Sequence, residues 1–212
     1  MQSPKKVFYE NQARTIINKM KARKMDAYYC EDVKAAQDKL LELLGDGCKS
    51  VAYGGSMTID EHGFKDVIVR AGHDLIVRED YKTEEEIKEC KAKTINADVF
   101  LMSSNAITLD GELVNIDGRG NRLSYMIYGP EQVIILAGMN KIVTDVEEGI
   151  RRVRNMAAPP NTVRLQRDTP CAVHGQCADC LTNSICSQIV ITRTSMIPQR
   201  IKVILIGETL GY

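Results

Sequence analysis

Four of the chain's seven cysteines fall in one short stretch, Cys171 to Cys186, reading CAVHGQCADCLTNSIC. Their spacing is C-x5-C-x2-C-x5-C. Structural zinc sites usually draw on two close pairs set far apart, each forming its own knuckle. Here only Cys177 and Cys180 make such a pair, with Cys171 and Cys186 standing alone on either side. That asymmetry favours one four-thiolate site. A [4Fe–4S] cluster is the first expectation, tetrahedral zinc the second, and free or redox-active thiols the third. His174 is expected to be an exposed loop residue rather than a ligand. Gly175 would help the loop turn and Pro170 would stiffen its entry. Disulfides are disfavoured, because the N-terminus MQSPKKVFYENQARTIINKM has no apolar core of signal-peptide type and the cytoplasm is the expected address. Cys30, Cys48 and Cys90 are expected to be small buried apolar side chains.

A second kind of chemistry lies in three glycine-containing turns. In YGGSMT, Gly54, Gly55 and Ser56 join a strand to a helix. Glycines let backbone N–H groups approach an anion, and Ser56 adds a hydroxyl. The turn has neither the GKS/GKT ending of a P-loop nor a G-x-G-x-x-G fingerprint. In NIDGRGNR, residues Asp117, Gly118, Arg119, Gly120, Asn121 and Arg122 precede a helix, and Arg119 and Arg122 could grip a carboxylate or phosphate bidentately. In GMNK, Asn140 and Lys141 follow the most apolar strand. The SSN stretch ending at Asn105 adds hydroxyl and amide groups. All of these follow strand candidates, so they are expected to converge on one crevice that binds a small anionic metabolite. No Ser/His/Asp triad or carboxylate pair stands out. Asp110, Glu112 and Asp117 read as hairpin and turn residues rather than an acid–base set. Whether the chain is an enzyme stays open at this level.

These residues need a frame to hold them. The chain has 212 residues, 44% of them hydrophobic, with 28 basic side chains balanced by 28 acidic ones. The absence of a basic surplus disfavours nucleic acid as a partner. The apolar runs, of which Val133–Met139 is among the longest, fall far short of the ~20 residues of a membrane span. Helix and strand signals alternate. Ala13, Ile16, Ile17 and Met20 recur at helical spacing, as do Val33, Ala36, Leu40 and Leu43. SVAY from Ser50, DLIV from Asp74, DVFLMSS from Asp98 and QVIILAG from Gln132 read as strands. ITLDGELVNI reads as a hairpin turning at Asp110-Gly111 in type I′ geometry. Capping-box pairs Thr58/Glu61, Thr83/Glu86 and Thr144/Glu147 start three helices, the last ended by Pro159-Pro160. A short helix spans Asn121 to Tyr128, and QIVITR and IKVILIG are late strands. The expected fold is α/β, with a layered, largely parallel sheet and helices on both faces, forming one domain over 1–212. A core-poor cysteine loop at 161–187 interrupts the alternation.

Taken together, YGGSMT, ADVFLMSSNAITLDGELVNIDGRGNR, GPEQVIILAGMNKIV and RIKVILIGETLGY resemble the LUD family of lactate-utilisation proteins, over roughly Ala13 to Tyr212. The cysteine loop itself resembles, in ligand spacing only, that of cluster-containing DNA glycosylases. The LUD resemblance implies a fold similar to CoA transferases, sugar-phosphate isomerases and 5-formyltetrahydrofolate cyclo-ligase. It also implies a place beside iron–sulfur oxidoreductase subunits in oxidation of L-lactate. Gly54, Gly55, Ser56, Asn105, Asp117, Gly118, Asn121, Arg122, Asn140 and Lys141 match the family's segments, and no catalytic role is carried onto any of them. Three functions follow as expectations. The first is a subunit or accessory protein of organic-acid oxidation with a cluster at Cys171, Cys177, Cys180 and Cys186. The second is a non-redox transferase, isomerase or cyclo-ligase whose cysteine site is structural. The third is an anionic-metabolite sensor. Edge strands of such folds also offer a route to a homodimer.

Overall fold

The computed structural model describes residues 3–212. Its strands in chain order are β1 (Asp26–Cys30), β2 (Ser50–Tyr53), β3 (Asp74–Ile76), β4 (Val99–Met102), β5 (Ala106–Thr108), β6 (Leu113–Asp117), β7 (Gln132–Gly138), β8 (Ile142–Val143), β9 (Gln188–Thr192) and β10 (Ile201–Ile206). Six of them form a sheet in the order β1-β10-β7-β4-β2-β3, with every neighbouring pair parallel. A second sheet, in the order β8-β5-β6-β9, is mixed. Its β5–β6 and β6–β9 pairs are antiparallel and its β5–β8 pair is parallel.

The helices are α1 (Pro4–Ala22), α2 (Val33–Leu44), α3 (Met57–Asp60), α4 (Phe64–Arg70), α5 (Glu84–Ile95), α6 (Asn121–Ile127), α7 (Val146–Arg152), α8 (Ala158–Arg164) and α9 (Pro170–His174). Side chains of a strand alternate between faces, and β7 shows what that does here. Val133, Ile135 and Ala137 join α1, α5 and α6 in one core layer through Ile16, Met20, Cys90, Leu123 and Met126. Ile134 and Leu136 join α2, α3 and α4 in the other through Ala36, Leu40, Ile59, Phe64 and Ile68. The expected layered α/β architecture with helices on both faces is therefore the observed one. No helix among the described residues is long and apolar enough to cross a membrane.

Several local expectations change. β1 had no distinct strand signal, because its residues 26–29 are only half-buried at the sheet edge. The helix expected from Thr58 splits into α3 and α4 at Gly63, which adopts φ +66°. Thr58 is buried inside α3 rather than capping it, and Ser56 takes the N-cap position. The Thr83/Glu86 capping box does form. Thr144 does not cap α7; Asp145 does, accepting from the Glu148 N–H at 2.9 Å. The hairpin turns by another route than type I′, which needs two positive φ angles. Among its turn residues only Gly111 has one, at +82°, after a Gly111 N–H bond to the Thr108 carbonyl. That is a type I turn closed by a glycine bulge. Pro159 and Pro160 start α8 instead of ending α7, and a π segment, Val153–Ala157, joins the two helices. Prolines lack the N–H that a preceding turn needs, and the wider π register absorbs the mismatch. Finally, Cys48 is exposed, unlike Cys30 and Cys90.

Candidate functional site

A cavity of about 890 Å³ opens beyond the carboxyl ends of β2, β4, β6 and β7. The strand ends deliver Gly54, Gly55 and Ser56 from the first glycine turn, and Asp117, Gly118, Arg119, Asn121 and Arg122 from the second. Ser103, Ser104 and Asn105 follow β4, and Lys141 follows β7. Asn140 does not line the cavity. Its Oδ1 accepts from the Leu210 N–H at 3.1 Å and its Nδ2 donates to the Gly211 carbonyl at 3.4 Å. It holds the segment after β10 in place, and that segment brings Tyr212 into the cavity wall.

Arg122 was a candidate ligand grip, but its guanidinium is committed inside the protein. Nη1 donates to the Ser103 carbonyl at 2.8 Å and to Asn115 Oδ1 at 3.1 Å. Nη2 donates to Asn105 Oδ1 at 2.8 Å and to the Ile116 carbonyl at 3.2 Å. Asn105 and Asn115 reinforce this knot: their side-chain oxygens also accept from the Ile116 and Asn105 backbone N–H groups. Gly54 makes room for it, since a Cβ there would stand 2.9 Å from Arg122 Cγ. Arg122 thus ties β4 to β6, whereas Arg119 is exposed at the cavity edge. Asp117 Oδ1 accepts from the Gly118 N–H. Its Oδ2 is buried without a hydrogen-bond partner, 3.8 Å from Arg122 Nε.

Lys141 is a strongly perturbed group in the cavity. It is 3% exposed. Its Nζ donates to Ser103 Oγ at 2.9 Å and to Thr58 Oγ1 at 3.0 Å. Burial is the main cause that pulls its pKa down to about 7, and the nearby charges of Arg152 and Arg122 pull the same way. Arg152 is 5% exposed and donates to the carbonyls of Asn105 and Asn140, at 2.7 and 3.2 Å. Burial works against its charge as well. Three cationic side chains therefore sit within electrostatic reach of one another, with Asp117 as the nearby carboxylate. Arg122 and Lys141 stand out in the sequence as site candidates, whereas Arg152 does not and Thr58 does so only as a helix cap. The available signal for Arg152 was its place beside Val153 and one turn after Gly149, on the buried side of α7.

The cysteine loop forms part of the same wall. Ile185 and Cys186 line the cavity, and a Cβ on Gly118 would rest 3.4 Å from the Ile185 backbone. Cys186 packs on Ile116 of β6 and on Val153 and Ala157 of the π segment. All four thiols of the loop are free, and Cys171 is buried. Its sulfur lies 3.3 Å from the Thr169 hydroxyl and 3.5 Å from that of Thr162. Arg154 donates from Nε to Cys177 Sγ at 3.4 Å and pairs with Asp179. Burial pushes the Cys186 thiol up to about 11, and charge on Cys171, Cys177 and Cys180 adds to this. Four cysteine thiols are the donor type that a four-thiolate centre uses. In this conformation, however, no three His, Cys, Asp or Glu side chains among the described residues converge as a metal site.

The family model of the LUD domain matches residues 13–206. None of the curated proteins matches the sequence. Among solved structures, a DUF162 family protein from Deinococcus radiodurans aligns at 15% identity over 97% of this chain and 99% of its own, with a TM-score of 0.54. The ribose 5-phosphate isomerase of Plasmodium falciparum aligns at 17% identity over 53% of this chain and 52% of its own, with a TM-score of 0.33.

Proposed function

The chain belongs to the LUD domain family, and from that premise we propose that its cavity binds a small anionic metabolite of organic-acid type. One observation supports this above the others: Lys141 and Arg122 in the cavity wall, with buried Arg152 behind them, set more buried positive charge beside the cavity than Asp117 offsets. A buried charge surplus is costly unless something neutralises it. A carboxylate or phosphate entering the cavity does so, with the exposed Arg119 at the edge to receive it.

Within this reading the protein serves organic-acid oxidation, lactate being the first candidate, as a subunit or accessory protein beside iron–sulfur oxidoreductase subunits. Cys171, Cys177, Cys180 and Cys186 would hold a [4Fe–4S] cluster, which when bound supplies one-electron transfer. Cys186 shares a wall with the cavity, so the loop lies where such a centre would sense the ligand. Calorimetric titration of the anaerobically purified protein with lactate, pyruvate and inorganic phosphate tests the binding. Saturable binding of at least one anion is expected, and no binding of any overturns the reading. Iron, sulfide and zinc analysis of the same preparation tests the loop. A brown protein carrying iron and sulfide supports the cluster, while a colourless one with a single zinc rules it out. A non-redox enzyme on a structural four-thiolate site is the second reading, favoured by Lys141, whose near-neutral pKa suits acid–base work.

A further inference from the structure

The Ser103–Lys141 pair at the cavity floor has the geometry of a nucleophile and its base. Ser103 Oγ lies 2.9 Å from Lys141 Nζ, and both residues are almost fully buried yet line the cavity. Lys141 has two hydroxyls as partners rather than a carboxylate that would hold it as an ammonium. Each of those hydroxyls accepts from Lys141 and donates to a backbone carbonyl. The Thr58 hydroxyl donates its proton to the Leu210 carbonyl at 3.3 Å, so its oxygen can only accept from Lys141. The Ser103 hydroxyl donates in the same way to the Ser104 carbonyl at 3.4 Å, a bond it gives up when its proton turns to Lys141 Nζ. In the neutral amine, one N–H stays on Thr58 and the lone pair faces Ser103 once the Ser103 proton rotates from the Ser104 carbonyl to Nζ. A buried amine next to a serine is a recurring way to activate that serine.

We propose that Ser103 and Lys141 form a catalytic dyad that transfers the acyl group of an ester or thioester carrying an anionic substituent. This rests on the reading of the cavity as the ligand site, and adds chemistry that binding alone does not imply. Ser103 Oγ bonds to the acyl carbon while its proton passes to Lys141 Nζ. The bond to the alkoxide or thiolate breaks, and the leaving group takes that proton from Lys141. Water then gives a proton to Lys141 and its oxygen to the acyl carbon. The acyl–serine bond breaks, and Ser103 recovers its proton from Lys141. No oxidant or reductant is needed. Negative charge developing on the carbonyl oxygen falls in the field of Arg122 and Arg152, which is preorganised by their carbonyl and amide contacts. The pKa of Lys141, about 7, leaves much of the amine neutral at neutral pH. Thr58 is a positioning residue in this scheme.

The test is labelling of the whole purified chain by an alkyl fluorophosphonate, read by intact mass and peptide mapping across pH. One label on Ser103 is expected, at a rate that rises with pH and is half-maximal near pH 7. Ser103→Ala should lose the label. Lys141→Met should slow labelling by about 10²-fold or more, and Thr58→Val should slow it less. Circular dichroism melts identify any variant that fails to fold, and the Ser103→Ala result stands by itself because it removes only a hydroxyl. Absence of label, label on another residue, or a rate flat across pH overturns the dyad. If lactate, pyruvate or phosphate still binds in that case, the cavity reading survives. If Ser103 labels as expected while none of these anions binds, the dyad stands and the anionic-metabolite reading falls.

Discussion

Arg119 and Arg122 are three positions apart and chemically identical, yet their surroundings assign them different work. Arg122 is 12% exposed at its side chain and spends its donors on Ser103, Asn105, Asn115 and Ile116. Removing it leaves several buried acceptors bare. Arg122→Ala should therefore destabilise the fold by about 3–5 kcal/mol, measured by urea unfolding. Arg119→Ala should leave the melt unchanged and weaken anion binding about tenfold, as seen by calorimetry. Lys141 carries a pH signature of its own. Its native pKa, about 7, lies below its usual 10.5, so the unfolded chain holds a proton that the native chain gives up between those values. Stability from this group is lowest below pH 7 and rises as pH climbs toward 10.5. Urea midpoints measured across that window should rise in the wild type and lose that increment in Lys141→Met.

The elements explain which of these residues could be read in advance. Gly54, Gly118 and Lys141 announced themselves because strand-then-glycine and strand-then-polar transitions are local patterns. Asn105 stood out too, but its pairing with Asn115 did not, since that pairing is completed by Arg122, which arrives from another element. Arg152 was hidden for a similar reason: a charged residue in an amphipathic helix reads as solvated, and only the packing of α7 on β5 and β6 buries it. The prolines misled because their helix-ending tendency is sound locally, whereas the π segment lets α8 begin through them. The four cysteines were visible as a group from spacing alone, but not that Cys186 borders the cavity. A paired glycine experiment tests the element-level account. Neither Gly54 nor Gly55 has a left-handed φ. A Cβ at Gly54 meets Arg122 Cγ at 2.9 Å and Phe100 Cζ at 3.3 Å, while one at Gly55 meets nothing within 4 Å. Gly54→Ala should cost about 1–3 kcal/mol of stability, and Gly55→Ala should stay within about 0.5 kcal/mol of the wild type, both read from thermal or urea melts.

At the scale of the molecule, the layered parallel sheet was legible because β4, β7 and β10 are near-continuous apolar runs, the mark of strands covered on both faces. The second sheet was harder to foresee. Its hairpin was apparent, but β9 pairs with β6 across a long separation in sequence, and local pattern carries no record of that. The order β1-β10-β7 also has a kinetic side. β10 sits between β1 and β7, so β1 has no sheet partner until β10 emerges. α1 and α2 can pack on β1 early, but β1 gains a sheet neighbour only through β10, and long-range parallel pairing of this kind is slow. A nascent chain halted before residue 201 would hold β2, β3, β4 and β7 in register yet leave β1 adrift.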